Sequence, residues 1–238
     1  MHNDRYVIGY AATLCVVASL LLAVASAALR GRQERMVELD RQFNVLKAFG
    51  APVADAAGRR SVPNDEVARL YRERVREMFL DGATGEPRTN AAPSAAELER
   101  KTVLPLYLWL EDGAPAKYAF PTSGKGLWST IYGYLALDRT LSEVVGITFY
   151  RHGETPGLGG EVERSWFQQQ FAGQRIHGPN GLLRLEVAKG RVADRYPNGN
   201  PQAVDGISGA TMTGNGLNGF LNEDLERYER YFSRIRKG

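Results

Sequence analysis

The chain has 238 residues, 43% of them hydrophobic and 24% charged, with a formal net charge of +3. That length holds one domain with appendages, and the mild, scattered positive charge argues against nucleic acid as a partner. One cysteine, Cys15, and three dispersed histidines leave no intramolecular disulfide, iron–sulfur cluster or metal cage to expect, so any redox chemistry calls for an organic cofactor.

Tyr6 to Leu29 is a run of 24 residues without a charge. As a helix rising ~1.5 Å per residue it reaches about 36 Å, enough to cross a bilayer core of ~30 Å. A cleaved signal peptide is the alternative, given the small residues Ala23 to Ala28, but its apolar region usually spans only ~7–15 residues. The expectation is a retained single-pass anchor in membrane lipid. Arg5 precedes the run, whereas Arg30, Arg32, Arg35, Arg41 and Lys47 follow it. Taken literally, that bias keeps the following domain in the cytoplasm, although long domains cross largely regardless of charge.

Gly31 to Phe49 reads as a continuation of the helix, with Met36, Leu39, Phe43 and Leu46 three and four apart, ended by Gly50, Ala51 and Pro52. Asn64 to Leu80 carries a second helical stripe through Val67, Leu70, Tyr71, Val75, Met78 and Phe79. A turn-rich linker covers Asp81 to Ser94. Strands follow: Leu104–Leu110 and Lys117–Phe120 about an Asp112-Gly113 turn, then Leu127–Leu137 and Glu143–Tyr150. Val162–Phe171 reads as helical, Leu182–Ala188 and Arg191–Ala193 as a hairpin about Lys189-Gly190, and Gly214–Arg236 as an amphipathic helix. The sum is an α+β chain: anchor over 1–30, helical linker and packing segment over 31–100, and one domain with an antiparallel sheet and flanking helices over 101–238.

Three loops carry candidate chemistry. In S-G-K-G-L-W-S, Ser123 to Ser129, Lys125 favours an anionic ligand or partner, and Trp128 reads equally as a ligand border or a core side chain. E-T-P-G-L-G-G-E begins at Glu154 and Thr155, with Pro156 fixing a turn and Gly157, Gly159 and Gly160 leaving backbone amides bare. A flat ring such as an isoalloxazine suits such a loop, with Leu158 on its face; a long strand-to-helix turn is the alternative. D-G-I-S-G-A-T-M-T, Asp205 to Thr213, puts Ser208, Gly209, Ala210, Thr211 and Thr213 just ahead of the last helix. Its glycines and the helix start suit a phosphate, but a plain capping loop looks the same. No histidine–carboxylate dyad and no G-x-G-x-x-G between strand and helix stand out, so neither a catalytic residue nor an NADH site is expected.

These motifs occur in a familiar order. L-D-R-Q-F-N-V-L, F-L-D-G-A-T-G-E, P-L-Y-L-W, G-K-G-L-W-S, G-I-T-F-Y, H-G-E-T-P-G-L-G-G-E-V-E and V-D-G-I-S-G-A-T-M-T-G-N-G resemble the NqrC family of sodium-translocating NADH:quinone oxidoreductases across nearly the whole chain. The resemblance implies an FMN-binding domain on the periplasmic side of a bacterial inner membrane, in a complex of six subunits moving electrons from NADH to ubiquinone. It implies FMN as a phosphoester on Thr211, installed by a magnesium-dependent flavin transferase that reads Asp205 and Ser208. The other residues of the three loops would then contact the flavin. Rivals are the G subunit of an Rnf-type complex, a stand-alone flavinylated carrier and a non-redox membrane-anchored module. The segment R-S-W-F-Q-Q-Q-F after Glu163 and the charge-rich tail depart from the family pattern.

Overall fold

The computed structural model describes residues 4–89 and 92–237. Two compact units divide the chain, one over residues 1–41 and one over 42–238. The first is made of helix α1, Asp4–Ala48, which also runs into the second. Its apolar stretch stands exposed, Leu20 at 63% and Leu22 at 72%, and it is the one described helix long and apolar enough to cross a membrane.

The second unit is built on an antiparallel meander. Helix α2, Asn64–Arg74, leads into β1, Val75–Asp81. After the short α3, Ala95–Glu99, come β2, Val103–Glu111; β3, Ala114–Lys125; β4, Thr130–Asp138; and β5, Val144–Arg151, in spatial order β1-β2-β3-β4-β5. The turn between β2 and β3 is the expected one. Asp112 and Gly113 both take positive φ, 51° and 79°, matching a type I′ hairpin.

The helix expected over Asn64–Leu80 stops early. Val75 is extended, and the residues from there on pair with β2, from Val75 opposite Trp109 to Asp81 opposite Val103. Val75, Met78 and Leu80 satisfy a helical stripe and a strand equally well. The exposed edge of β2 decides between them, because its backbone groups need partners.

Alternation along the strands splits the core in two. Leu104, Leu106, Tyr118, Phe120, Ile131, Leu135 and Leu137 pack in one cluster with the last helix. Tyr107, Ala119, Tyr134 and Ala136, at intervening positions, join Phe43, Val45, Leu46, Phe49, Val67 and Tyr71 in another. Both sheet faces are therefore covered, and each buried large apolar side chain contributes about 1.5–3 kcal/mol. Phe120 and Tyr228 stack with centroids 4.2 Å apart, and the Tyr228 hydroxyl donates to the Pro105 carbonyl at 2.6 Å.

After β5 the chain is irregular. A 3-10 turn at Gly159–Glu163, helix α4 at Ser165–Gln168 and another 3-10 turn at Gln169–Phe171 make up the expected helical stretch in broken form. Two-residue strands β6, His177–Gly178, and β7, Gly181–Leu182, pair antiparallel. Strand β8, Glu186–Val187, pairs in parallel with β9, Ala203–Val204, and helix α5, Val192–Arg195, lies between them in sequence. The hairpin expected about Lys189-Gly190 is absent, since Arg191 leads into α5, and Asp205 Oδ1 holds the Val192 N–H at 2.6 Å. Helix α6, Thr211–Lys237, supplies the missing partners. Asn218 and Asn222, one turn apart, each accept from and donate to the 185–187 backbone, at 2.6–3.0 Å. A helix thus presents two side-chain amides where a sheet would present a strand.

One charge pair ties α6 to β3. Asp224, 1% exposed, accepts from Lys101 Nζ at 2.6 Å, Thr122 Oγ1 at 3.1 Å and Ser123 N–H at 3.0 Å. Asp224→Asn keeps the shape but strips the ammonium of its counter-charge. The expected loss is about 1.5–3 kcal/mol in urea-unfolding stability, the scale of a charge-assisted bond, because Lys101 is 26% exposed and keeps the Ser123 carbonyl.

Candidate functional site

Two of the three loops singled out in the sequence, and the rim of the third, converge on one cleft of about 350 Å3. Leu127 and Trp128 come from the β3–β4 turn; Glu154, Thr155, Leu158 and Gly159 from the loop after β5; and Gly209 to Thr213 from the start of α6.

Glu154 holds these pieces together. Its side chain is buried, 4% exposed. Oε1 accepts from the N–H groups of Trp128 at 2.9 Å and Ser129 at 3.1 Å, and Oε2 from Leu127 N–H at 3.1 Å and the Thr213 hydroxyl at 2.7 Å. One carboxylate therefore ties the tryptophan turn and the first turn of α6 to its own loop. Burial pushes the Glu154 carboxyl up, but the Thr213 hydroxyl and the three N–H donors outweigh it and hold its pKa below the ordinary value. A depressed pKa stabilises the fold above the unfolded value near 4.5 and ceases to do so as pH falls through the folded value. Between about pH 5 and pH 3 the wild type is therefore expected to lose melting temperature faster than Glu154→Gln, which has no carboxylate there to protonate.

The Thr155-Pro156-Gly157-Leu158 turn closes with Leu158 N–H on Thr155 O at 3.1 Å, and Gly157 sits at φ 74°, as proline then glycine favour. Gly159 has a packing reason: an added Cβ would lie 2.5 Å from Thr213 Oγ1.

At the other wall, the Gly214 N–H bonds to the Ala210 carbonyl at 2.9 Å, which opens α6. The helix begins at Thr211, three residues earlier than the sequence pattern suggested. Ala210 precedes it and has no side-chain acceptor, and Ser208 is exposed with no hydrogen bond to a described residue, so the side-chain cap that the sequence left open is not made. The N–H groups of Thr211, Met212 and Thr213 lie in the first turn, where the helix itself supplies no acceptor. That turn suits an anion through its bare donors and the positive end of the helix. The Thr211 side chain is exposed and free of described hydrogen bonds, whereas Thr213 is 1% exposed and committed to Glu154.

Several residues stand elsewhere than the loop motifs suggested. Lys125 is exposed outside the cleft lining, and its carbonyl lies against α6, 2.3 Å from where a Cβ on Gly216 would be. Gly206 likewise makes room for the Ala188 carbonyl, so these two glycines serve packing, and Gly209, at φ 72°, is the one that borders the cleft. Asp205 is engaged within the fold, through Val192 N–H and through its own N–H to Gln170 Oε1 at 2.8 Å. Trp128 is 70% exposed on the rim and so is no core side chain. Leu127 at 42% and Met212 at 59% join it, both inside motifs the sequence had marked, and their exposure is the signal that periodicity does not carry.

Residues 126–226 match the FMN-binding domain family. The NqrC protein of the Na(+)-translocating NADH-quinone reductase of Yersinia pestis is 33% identical, over 94% of this chain and 90% of that protein. The chain belongs to the NqrC family. The Pseudomonas aeruginosa member is 31% identical over 96% of this chain and 94% of its own length. The crystal structure of the Parabacteroides distasonis member superposes with a TM-score of 0.73 at 26% identity, over 86% of this chain and 97% of that one. For a member of that family the cleft is consistent with FMN: exposed Leu127, Trp128, Leu158 and Met212 suit an apolar ring, and the α6 start suits its phosphate.

Proposed function

We propose that the chain is the flavin-carrying electron-transfer subunit of a membrane-bound, sodium-translocating NADH:quinone oxidoreductase, with FMN esterified to Thr211. The observation that carries this is the contrast between two threonines in one helical turn, Thr211 with its hydroxyl open to the cleft and Thr213 with its hydroxyl taken. Membership of the NqrC family and the FMN-binding domain match support the wider reading.

FMN supplies the electron chemistry. The residues here have other tasks. Thr211 would hold the flavin through its side-chain oxygen, which would replace the group leaving the flavin phosphate, with the hydroxyl proton passing to that leaving group. The first-turn N–H groups of α6 counter the charge that the phosphate retains. Trp128, Leu127, Leu158 and Met212 would supply the apolar surface against which the ring packs. Among the described residues no histidine–carboxylate pair stands at Thr211 to activate it, which fits attachment by a separate flavin transferase. Asp205 has a structural task already, so its place in transferase recognition rests on the family motif. The family likeness also supports a periplasmic domain and the other five subunits as partners.

The test is peptide mass spectrometry on the chain co-produced with a flavin transferase. The peptide holding Asp205 to Thr213 is expected to gain the mass of FMN less one water, on Thr211. An unmodified peptide in transferase-equipped cells would overturn the covalent reading.

A further inference from the structure

A second cavity, of about 240 Å3, lies between the end of α1 with the turn after it, β5 and α4, and shares no residue with the flavin cleft. Lys47, Asp55, Gly58, Ser165 and Gln168 line it, beside an apolar wall that includes Ile147. Three of its polar groups lack partners. Lys47 Nζ has no hydrogen bond or ion pair within 4 Å among the described residues. Ser165 Oγ and Gln168 Oε1 are buried without a hydrogen bond.

The orientation of the Gln168 amide is fixed. Its Nε2 donates to the carbonyls of Phe149, Val162 and Glu163, each at 3.2 Å, so Oε1 is the end left over, in a side chain 4% exposed. Lys47 and Ser165 converge over Gly58. A Cβ built there would lie 2.8 Å from Nζ and 2.7 Å from Oγ, so the two donors stand within about 5.5 Å of each other, a spacing that two oxygens of one tetrahedral anion can bridge. Burial lowers the Lys47 pKa, and Glu163 and Asp55 offset this only in part. Asp55 is itself held by Arg59, at 3.0 Å.

Two converging donors, one of them cationic, call for an oxyanion. A leftover buried acceptor calls for a hydrogen on that same ligand, because leaving it unpaired is costly. We infer that this cavity binds a phosphate group that retains a proton, free phosphate or a small phosphomonoester, with Lys47 and Ser165 donating to its oxygens and Gln168 Oε1 accepting its hydroxyl.

Sulfate has the same shape and no proton at neutral pH, so it separates this site from a generic anion hole. Isothermal titration of the full-length flavinylated chain in detergent, at constant ionic strength, is expected to show inorganic phosphate binding at least tenfold tighter than sulfate. Lys47→Met is expected to abolish binding and Ser165→Ala to weaken it several-fold, with unchanged melting temperatures showing that both variants fold. Thr211→Ala is expected to retain it. At about pH 5.5, where a monoester also keeps one proton, glycerol 3-phosphate binding more tightly than phosphate assigns the site to a monoester, and the reverse assigns it to the free ion. Equal affinity for sulfate, no phosphate binding, binding that survives Lys47→Met, or binding lost in Thr211→Ala would each overturn the inference.

Discussion

Thr211→Ala, produced beside a flavin transferase and run on a denaturing gel, is expected to give a non-fluorescent band where wild type fluoresces. The effect is all or none because a phosphoester needs an oxygen that alanine lacks. Thr213 is no substitute despite lying two residues away. Its side chain is 1% exposed, and its hydroxyl donates at 2.7 Å to Glu154. Reaching a flavin from there would break that bond and leave Glu154 short of a donor. Thr213→Ala is therefore expected to keep the fluorescent band and lose about 1.5–3 kcal/mol of stability, the usual scale for one hydrogen bond to a charged group. Fluorescence that survives Thr211→Ala would place the attachment elsewhere and remove the proposed function in its covalent form.

The second large effect is expected at Glu154. Glu154→Gln preserves volume and keeps one oxygen, enough for Trp128 and Ser129, but turns two N–H bonds toward the Leu127 amide and the Thr213 hydroxyl. Leu127 N–H then meets a donor instead of an acceptor. A stability loss of about 2–4 kcal/mol follows from the unpaired group and the lost charge-assisted bonds. Urea unfolding with and without bound flavin measures it. The same change is expected to loosen the rim, seen as greater solvent quenching of Trp128 fluorescence. A variant as stable as wild type would show that Glu154 does not organise the cleft.

Much of the architecture is legible in the residues themselves, for reasons that particular positions make plain. Asp112-Gly113 announces its hairpin because few sequences tolerate two positive φ angles in succession. The anchor and α6 have long, uniform patterns. Val75–Asp81 misleads, since its stripe fits either helix or strand and the distant edge at Val103–Glu111 decides. The false hairpin at 182–193 has the same origin: its partners are Asn218 and Asn222, side chains on a helix that no strand rule anticipates. At the site, the three motifs point to segments that meet at one cleft but do not give each residue's task. Glu154 lines the cleft and is also its clamp, whereas Gly206 looked like room for a phosphate and is room for the Ala188 carbonyl. Spacing along a chain does not report which way a side chain faces.

The bonds that gather at Glu154 are all made by the polypeptide itself. The mouth of the cleft is consequently tied together by the protein's own bonds, with no share left to the chromophore. For a shuttle that alternates between two charge states this is an advantage. Fixed dipoles need not swing round at each arrival or departure of an electron, so little energy is spent on rearranging the surroundings and transfer can be fast in both directions.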